Sequence, residues 1–340
     1  MPAPLHIAID AMSGDCGPSV CVPAGLVEAG KFPDVRFTLV GRQSDLERQM
    51  GSSRPANIEC VFAEQVVEMS DPPREALRRK KDSSMRRALD LVKAGEAHAC
   101  VSAGNTGALM AMSHFVLKML PGVERPAIVS LIPSRGGHTF MLDLGANASC
   151  TPEHLCQFAV MGSVLAADLE AAQGRPRVGL LNIGEEEIKG NETVRSAHNL
   201  IAASGVNYVG FVEGHDIFSD KVDVVVTDGF TGNVALKTME GAARLITDTL
   251  REEFTRNTFR KLGALAADSS LRALRTRLDP RRYNGATMVG LNGIVIKSHG
   301  NADLLGFQHA IEVAVLEARN GVPAKIAQEL KRSAAGFEGQ

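Results

Sequence analysis

The sequence predicts an α/β protein with a mainly parallel sheet covered by helices. Three observations carry that expectation. Short β-rich runs alternate with longer segments of helical period along almost the whole chain of 340 residues, the pattern that builds parallel sheets. Five of those runs end in glycine-bearing turns, where strands hand over to helices. A composition of 44% hydrophobic and 22% charged residues excludes a disordered or collagen-like chain. At this length roughly three quarters of the unfolded surface is buried, enough for a large core without disulfide or metal staples.

The elements follow in order. Residues 6–10, His-Ile-Ala-Ile-Asp, open the first strand, with no basic n-region and apolar h-region ahead of them, so a cytoplasmic location is expected. Residues 99–103 lead into Gly104-Asn105-Thr106-Gly107, and residues 139–144 into Gly145-Ala146-Asn147. Residues 178–183 lead into Gly184 and then Lys189-Gly190-Asn191. Residues 222–227 reach Asp228-Gly229-Phe230-Thr231-Gly232-Asn233, and residues 293–297 reach Ser298-His299-Gly300-Asn301. Between them, the weakly polar run 155–167 is too short for the ~20 residues that span a bilayer.

Residues 239–284 break the alternation. They read as one long helix, a break near 263–270, and a second helix closed by Asp279-Pro280, a helical hairpin projecting from a single α/β subunit of residues 1–335. From 251 to 282 nine basic residues face four acidic ones, a local charge of +5. The whole chain carries −2, which gives no global nucleic-acid signal and leaves about −7 for the remainder. Phe254, Phe259, Leu262, Leu265 and Leu271 add an apolar side near the break, so the hairpin is expected to meet a partner subunit, an anionic membrane surface, or both.

In doubly wound sheets ligands sit beyond the carboxyl ends of the strands, so all five turns are expected to line one edge. Glycine lets backbone amides approach an anion, and a helix N-terminus adds free N–H donors and a positive dipole end. Asn, Thr, Lys and His joining Gly at the same topological position point to an anionic ligand. The six cysteines, Cys16, Cys21, Cys60, Cys100, Cys150 and Cys156, contain no CxxC pair and are expected to be reduced and mostly buried.

Six stretches resemble a known family: residues 9–15, 78–85, 101–109, 181–192, 227–237 and 293–300. Together they are similar to the bacterial phosphate acyltransferase family (PlsX, acyl-ACP:phosphate acyltransferase), over about residues 7–327. The resemblance implies a three-layer fold similar to the isocitrate and isopropylmalate dehydrogenases and to phosphate acetyltransferase, and a homodimer. It implies transfer of an acyl group from acyl carrier protein to inorganic phosphate. The acyl phosphate then passes to a membrane glycerol-3-phosphate acyltransferase at the start of phospholipid synthesis. One departure stands out: where the family opens Asp-Ala-Met-Gly-Gly-Asp-His, this chain has Ser13 for the first Gly and Cys16 for the His. The position is expected to be permissive rather than Cys16 acting as a nucleophile.

Attack of phosphate on a thioester requires a held phosphate, a positioned carbonyl, donors for the oxyanion and help for the departing thiol. Phosphate is already an ionised nucleophile, and the chain has no G-x-S-x-G elbow. The candidate phosphate and substrate ligands are Gly104, Asn105, Thr106, Gly107, Asn147, Asn191, Asp228, Thr231 and Gly232. Lys189, Lys297, His299 and Asn233 are the candidate catalytic groups. His299 is the expected proton donor to the thiol or oxyanion stabiliser, because imidazole titrates near working pH. Asp10 and Asp15 are expected to orient Lys and Asn side chains. No cofactor is implied; a divalent metal on two or more of Asp10, Asp15, Asp143 and Asp228 is the alternative, although their spacing forms no ligand motif. Arg78, Arg79, Lys80 and Lys81 with Arg86 and Arg87 form a second basic cluster, suited to an acidic carrier protein. Competing expectations are a phosphotransacetylase acting on acyl-CoA and a non-catalytic membrane-recruited scaffold. A metal- and NAD-dependent dehydrogenase is disfavoured by the lack of G-x-G-x-x-G.

Overall fold

A computed structural model describes residues 4–51, 54–169 and 174–338. The chain begins β1 (Leu5–Asp10), α1 (Pro18–Lys31), β2 (Val35–Gly41), α2 (Gln43–Met50) and β3 (Ile58–Phe62). Helices α3 (Pro73–Arg79) and α4 (Ser84–Lys93) precede β4 (Ala99–Ser102) and α5 (Thr106–Leu117). A hairpin of β5 (Ala127–Ser134) and β6 (Gly137–Leu142) follows, then α6 (Pro152–Leu169), β7 (Arg177–Leu181), α7 (Glu192–Ala203), β8 (Asn207–Val212) and β9 (Val224–Val226). Helices α8 (Gly229–Thr255), α9 (Thr258–Ala266) and α10 (Asp268–Arg277) lead to β10 (Ala286–Val289), β11 (Ile294–Lys297), α11 (Leu304–Asn320) and α12 (Val322–Glu338).

The strands form one sheet in the order β3-β2-β1-β4-β11-β10-β5-β6-β9-β7-β8. Seven of its strand pairs are parallel and three antiparallel, the latter flanking β10 and joining β5 to β6. Period-two alternation divides the side chains between two faces. Ala8, Cys100, Val295, Met141 and Val225 enter one core, beneath α4, α5 and the start of α8. Ile7, Ile9, Val101 and Ile296 face a second core with α1 and α11. Phe140, Leu142, Val224 and Val226 face a third with α6, α7 and α12. Helices on both faces make the fold a three-layer α/β sandwich.

Strand direction corrects one expectation. The tight β5–β6 hairpin reverses the chain without a crossover, so β6, β9, β7 and β8 run opposite to β1 to β4 and β11. The turns after β4 and β11 share one edge of the sheet. Those after β6, β7 and β9 lie at the opposite ends of their strands, so the five turns do not line one edge.

The helical excursion also differs in detail. Asp228 caps α8 by accepting from Thr231 N at 2.9 Å, so the long helix starts about ten residues earlier than residue 239. The break expected near 263–270 falls at Ala267, with Gly263 inside α9; a further break precedes it at residues 256–257, where Asn257 caps α9 by accepting from Arg260 N at 2.9 Å. The two-helix hairpin is therefore a three-helix arch. Only Ala235, Leu236 and Met239 of α8 lean on the core. Leu245, Ile246, Phe259, Leu262 and Leu265 stand exposed. The arch returns where Arg277 donates to the carbonyls of Ser134 and Arg135 at 2.7 and 2.6 Å, at the carboxyl end of β5. That is the edge shared by β4 and β11.

Glu317 of α11 is 1% exposed and accepts from the Thr287 hydroxyl of β10. Burial pushes its carboxyl up to about 8. Between the ordinary carboxylate range and that value the folded chain holds a proton the unfolded chain has released, so stability falls as pH rises through the window. Glu317→Gln is expected to flatten this slope: in thermal unfolding from pH 5 to pH 8, wild type loses more Tm than the variant. Equal slopes would refute the assignment.

Candidate active site

Asp10, Ser102 and Lys297 end three adjacent parallel strands in a single row. Ile9 lies opposite Val101 in the β1–β4 ladder, and Lys297 lies opposite Ser102 in the β4–β11 ladder. Side chains in register on parallel strands share a face, so all three turn to the α4 and α5 side. The Ser102 hydroxyl donates to Asp10 Oδ2 at 2.7 Å. Asp10 is 1% and Lys297 8% exposed. Burial raises the Asp10 carboxyl, opposed by the Ser84 and Ser102 hydroxyls, the Met12 amide and the charge of Lys297. Burial also brings the Lys297 amine down to about 8, opposed by the attraction of Asp15 and Asp10. Lys297 Nζ donates to the carbonyls of Ala103 and Ser298, which leaves one of its three N–H groups free.

The surrounding turns are laced together. Ser13 Oγ donates to the Asp10 carbonyl at 2.7 Å and accepts from Ala103 N at 2.8 Å. Asp15 N donates to the Gly300 carbonyl at 2.8 Å. Gly14, at φ 82, packs so closely that a Cβ would lie 2.8 Å from that same carbonyl and 2.9 Å from Ala103 Cβ. Asp15 and Cys16 are exposed on this turn. His299 is exposed, and its backbone N–H donates to Asn284 Oδ1 at 2.8 Å. Asn105 caps α5 by accepting from Ala108 N at 3.0 Å, while its amide donates to the Met69 and Asp71 carbonyls at 2.8 and 3.0 Å. Thr106 and Gly107 are exposed, Gly104 is buried, and Pro73 of α3 abuts Gly107. The first edge thus gathers Asp10, Asp15, Gly104, Asn105, Thr106, Gly107, Lys297 and His299.

The second group sits around Asp143. Its carboxylate accepts from Ile128 N at 3.0 Å, Ala146 N at 3.0 Å, Asn147 N at 2.7 Å and Asn147 Nδ2 at 2.9 Å. Burial nevertheless raises its pKa against those bonds. Asn147 donates its amide to Pro126 O as well, so both of its N–H groups hold the turn. Gly232 lies so close to this turn that a Cβ would fall 1.9 Å from the Asp143 carbonyl oxygen. The hydroxyl of Thr231 donates to Asp228 Oδ2 at 2.9 Å, and Asn191 caps α7 by accepting from Val194 N at 2.9 Å. Asn233 is exposed beside Gly145. Lys189 pairs with Glu186 at 2.8 Å, which raises its amine.

Sequence reasoning missed Ser102, Ser298 and Asn284 as members of the first edge. Ser102 and Ser298 stood within quoted stretches, but only strand pairing reveals what their hydroxyls face. Among the described residues no group of three or more His, Cys, Asp or Glu side chains is arranged to hold a metal ion. All six cysteines are free: Cys21, Cys100 and Cys156 buried, Cys60 and Cys150 half-buried, Cys16 exposed.

A mixed sheet of this topology between two helical layers, with a buried amine and capped helix N-termini at one edge, defines an α/β protein with a donor-rich edge. Its fold matches a phosphotransacetylase from Streptococcus pyogenes at a TM-score of 0.62, covering 94% of this chain and 95% of that one. It matches the EutD phosphotransacetylase from Staphylococcus aureus at 0.59, covering 93% and 94%. Identity is 14% in both, a likeness of fold. Sequence is more specific. The chain belongs to the family described as fatty acid synthesis protein, which it matches over residues 5–325. It is 55% identical to the phosphate acyltransferase of Alkalilimnicola ehrlichii over 335 residues, 98% of each chain. It is 54% identical to that of Methylococcus capsulatus over 327 residues, 95% of this chain and 96% of that one. It is an enzyme of the acyltransferase class.

In a lysine side-chain NMR titration, Lys297 is expected to titrate at about 8. Asp15→Asn should move the midpoint lower, because Asp15 attracts the charged form. A midpoint that stays or rises would sink this account of the site's electrostatics.

Proposed function

We propose that this enzyme transfers a fatty acyl group from acyl-[acyl carrier protein] to inorganic phosphate, giving acyl phosphate for phospholipid synthesis. The observation that carries the reading is identity above 50% over nearly the full chain with relatives named phosphate acyltransferase.

A phosphate oxygen attacks the thioester carbonyl, forming the C–O bond; the tetrahedral intermediate collapses with cleavage of C–S, and the thiolate takes a proton. No covalent enzyme intermediate or resident cofactor enters. The free N–H of Lys297 and the backbone amides of Thr106 and Gly107 at the α5 N-terminus hold the phosphate or oxyanion. His299, exposed on the adjacent turn, protonates the leaving thiol. Asp15 and Asp10 hold Lys297 charged against its burial.

Lys189, Asn191, Asn233, Thr231 and Asp228 belong to the opposite strand ends. We propose a homodimer in which a twofold pairing brings this second group of one chain to the first edge of its partner and so unites the two sets. The exposed apolar side chains of the arch support its contact with a partner subunit and with a membrane surface. We therefore propose a cytoplasmic, peripherally membrane-associated enzyme that delivers acyl phosphate to a membrane glycerol-3-phosphate acyltransferase. Helix α3 borders the Gly107 turn and carries Arg78 and Arg79, so we place carrier-protein docking there.

Incubation with acyl-carrier protein and phosphate, with hydroxylamine to trap the product, is expected to yield hydroxamate only when both substrates are present. Turnover with acyl-CoA that equals or exceeds turnover with the carrier protein would favour the phosphotransacetylase alternative. No product with either donor would favour the scaffold. Reversing charge at Arg78 and Arg79 is expected to raise the carrier-protein KM roughly tenfold while leaving the phosphate KM unaltered. An unchanged carrier-protein KM would remove α3 as the docking site.

A further inference from the structure

The arch rejoins the sheet at Asn284, directly after a 3₁₀ turn (Pro280–Tyr283) and two residues before β10. In the antiparallel β10–β11 ladder Ala286 lies opposite Lys297, so continuation of the register would set residue 284 against His299. The backbone ladder does not reach that far. The Asn284 side chain takes its place. Its Oδ1 accepts the His299 N–H at 2.8 Å, and its Nδ2 donates to Ser298 Oγ at 2.8 Å and to the Gly306 carbonyl at 2.6 Å. One amide, with its two donors and its oxygen all engaged, thus joins the arch's exit, the turn carrying His299 and the first turn of α11.

Two neighbours make the junction tight. Gly285, at φ 109, brings the backbone so near α11 that a Cβ would lie 3.0 Å from Ala310 Cα. Arg281 pairs with Asp303 at 3.1 Å, and Asp303 caps α11 through Gly306 N at 2.9 Å. The segment 298–306 is therefore gripped from the arch side by Asn284 and Arg281. On the sheet side it is held by Ser298 N donating to the Ser102 carbonyl at 2.9 Å and by Lys297 Nζ on the Ser298 carbonyl.

We infer that Asn284 is a positioning residue for the reaction: it sets where the His299 imidazole and the Ser298 carbonyl that receives Lys297 stand, and it passes the setting of the arch into the site. It touches no reacting atom. Its effect runs through the backbone of the Ser298–His299 turn, where a displacement of the order of 1 Å is enough to lower a rate by roughly a hundredfold.

The inference rests on the acyl-transfer reading for its rate measurement, so the test carries a second readout that does not. Asn284→Ala is expected to lower kcat for acyl phosphate formation by roughly tenfold to a hundredfold, with the phosphate KM within about threefold of wild type. Asn284→Asp keeps the acceptor for His299 N–H and regains a donor only when protonated. Its kcat relative to wild type, measured at a temperature where both stay folded by circular dichroism from pH 5 to pH 8, is therefore expected to rise as pH falls from 8 to 5, which a loss of stability alone would not produce under those conditions. In hydrogen exchange, the peptide spanning residues 297–306 should exchange faster in Asn284→Ala than in wild type, whatever the enzyme's substrate. A kcat for Asn284→Ala within twofold of wild type overturns the proposal. So does a loss matched by the fraction of variant unfolded at the assay temperature, or a pH-independent ratio for Asn284→Asp. If wild type makes no acyl phosphate, the functional reading fails instead, and unchanged exchange at 297–306 then overturns the positioning role by itself.

Discussion

A buried ammonium organises one edge of this protein. Moving a lysine out of water carries a heavy desolvation penalty unless carbonyls and carboxylates replace the lost hydration. Lys297 obtains that replacement from the Ala103 and Ser298 carbonyls and from the fields of Asp10 and Asp15. Each of those partners sits on a different strand end or turn. The register of β1, β4 and β11, the close approach of Gly14 to Gly300, and the hydroxyls of Ser13 and Ser102 all serve the same small volume. A one-residue slip in any of these ladders would turn its end residue to the opposite face and leave the charge without company.

The second edge is built on different physics. There a carboxylate, Asp143, is saturated by backbone and amide N–H groups, and two glycines of α8 press against its turn. Such a turn is tightly held, because both carboxylate oxygens carry two N–H donors each and a side chain at Gly229 or Gly232 would collide with it. It presents Asn233 and the α8 N-terminus outward. One edge thus holds an incompletely satisfied cation, and the other a finished scaffold for exposed groups.

Much of this was legible in the chain. Alternating β-rich and helical segments gave the layered fold, and strands with their turns were found because Gly, Asn and Asp at strand ends carry local conformational meaning. Asn105, Asn191 and Asp228, expected as phosphate or substrate ligands, instead spend a side-chain oxygen capping α5, α7 and α8. Strand direction was not legible. Whether a strand returns by a tight hairpin or a crossover decides which turns share an edge, and the few residues between β5 and β6 reverse four of the eleven strands. The break expected near 263–270 is there at Ala267, but the earlier one went unread, because Asn257 supplies a cap that starts a new helix without any Gly or Pro to mark it. Ser102, Ser298 and Asn284 escaped notice because their roles depend on partners far away in sequence.

Helix α8 is a single rod of about 40 Å. Its first eleven residues are lodged against the sheet, with Gly232 pressed on the Asp143 carbonyl and Met239 as the last side chain resting on the core. The remaining sixteen stand clear. A helix closes its backbone hydrogen bonds within itself, so those sixteen residues need no support from the sheet to stay a rod. One continuous element thus runs from the Asp228–Asn233 end to the exposed Leu245 and Ile246, and the arch's apolar surface and the second strand-end group are parts of a single rigid piece.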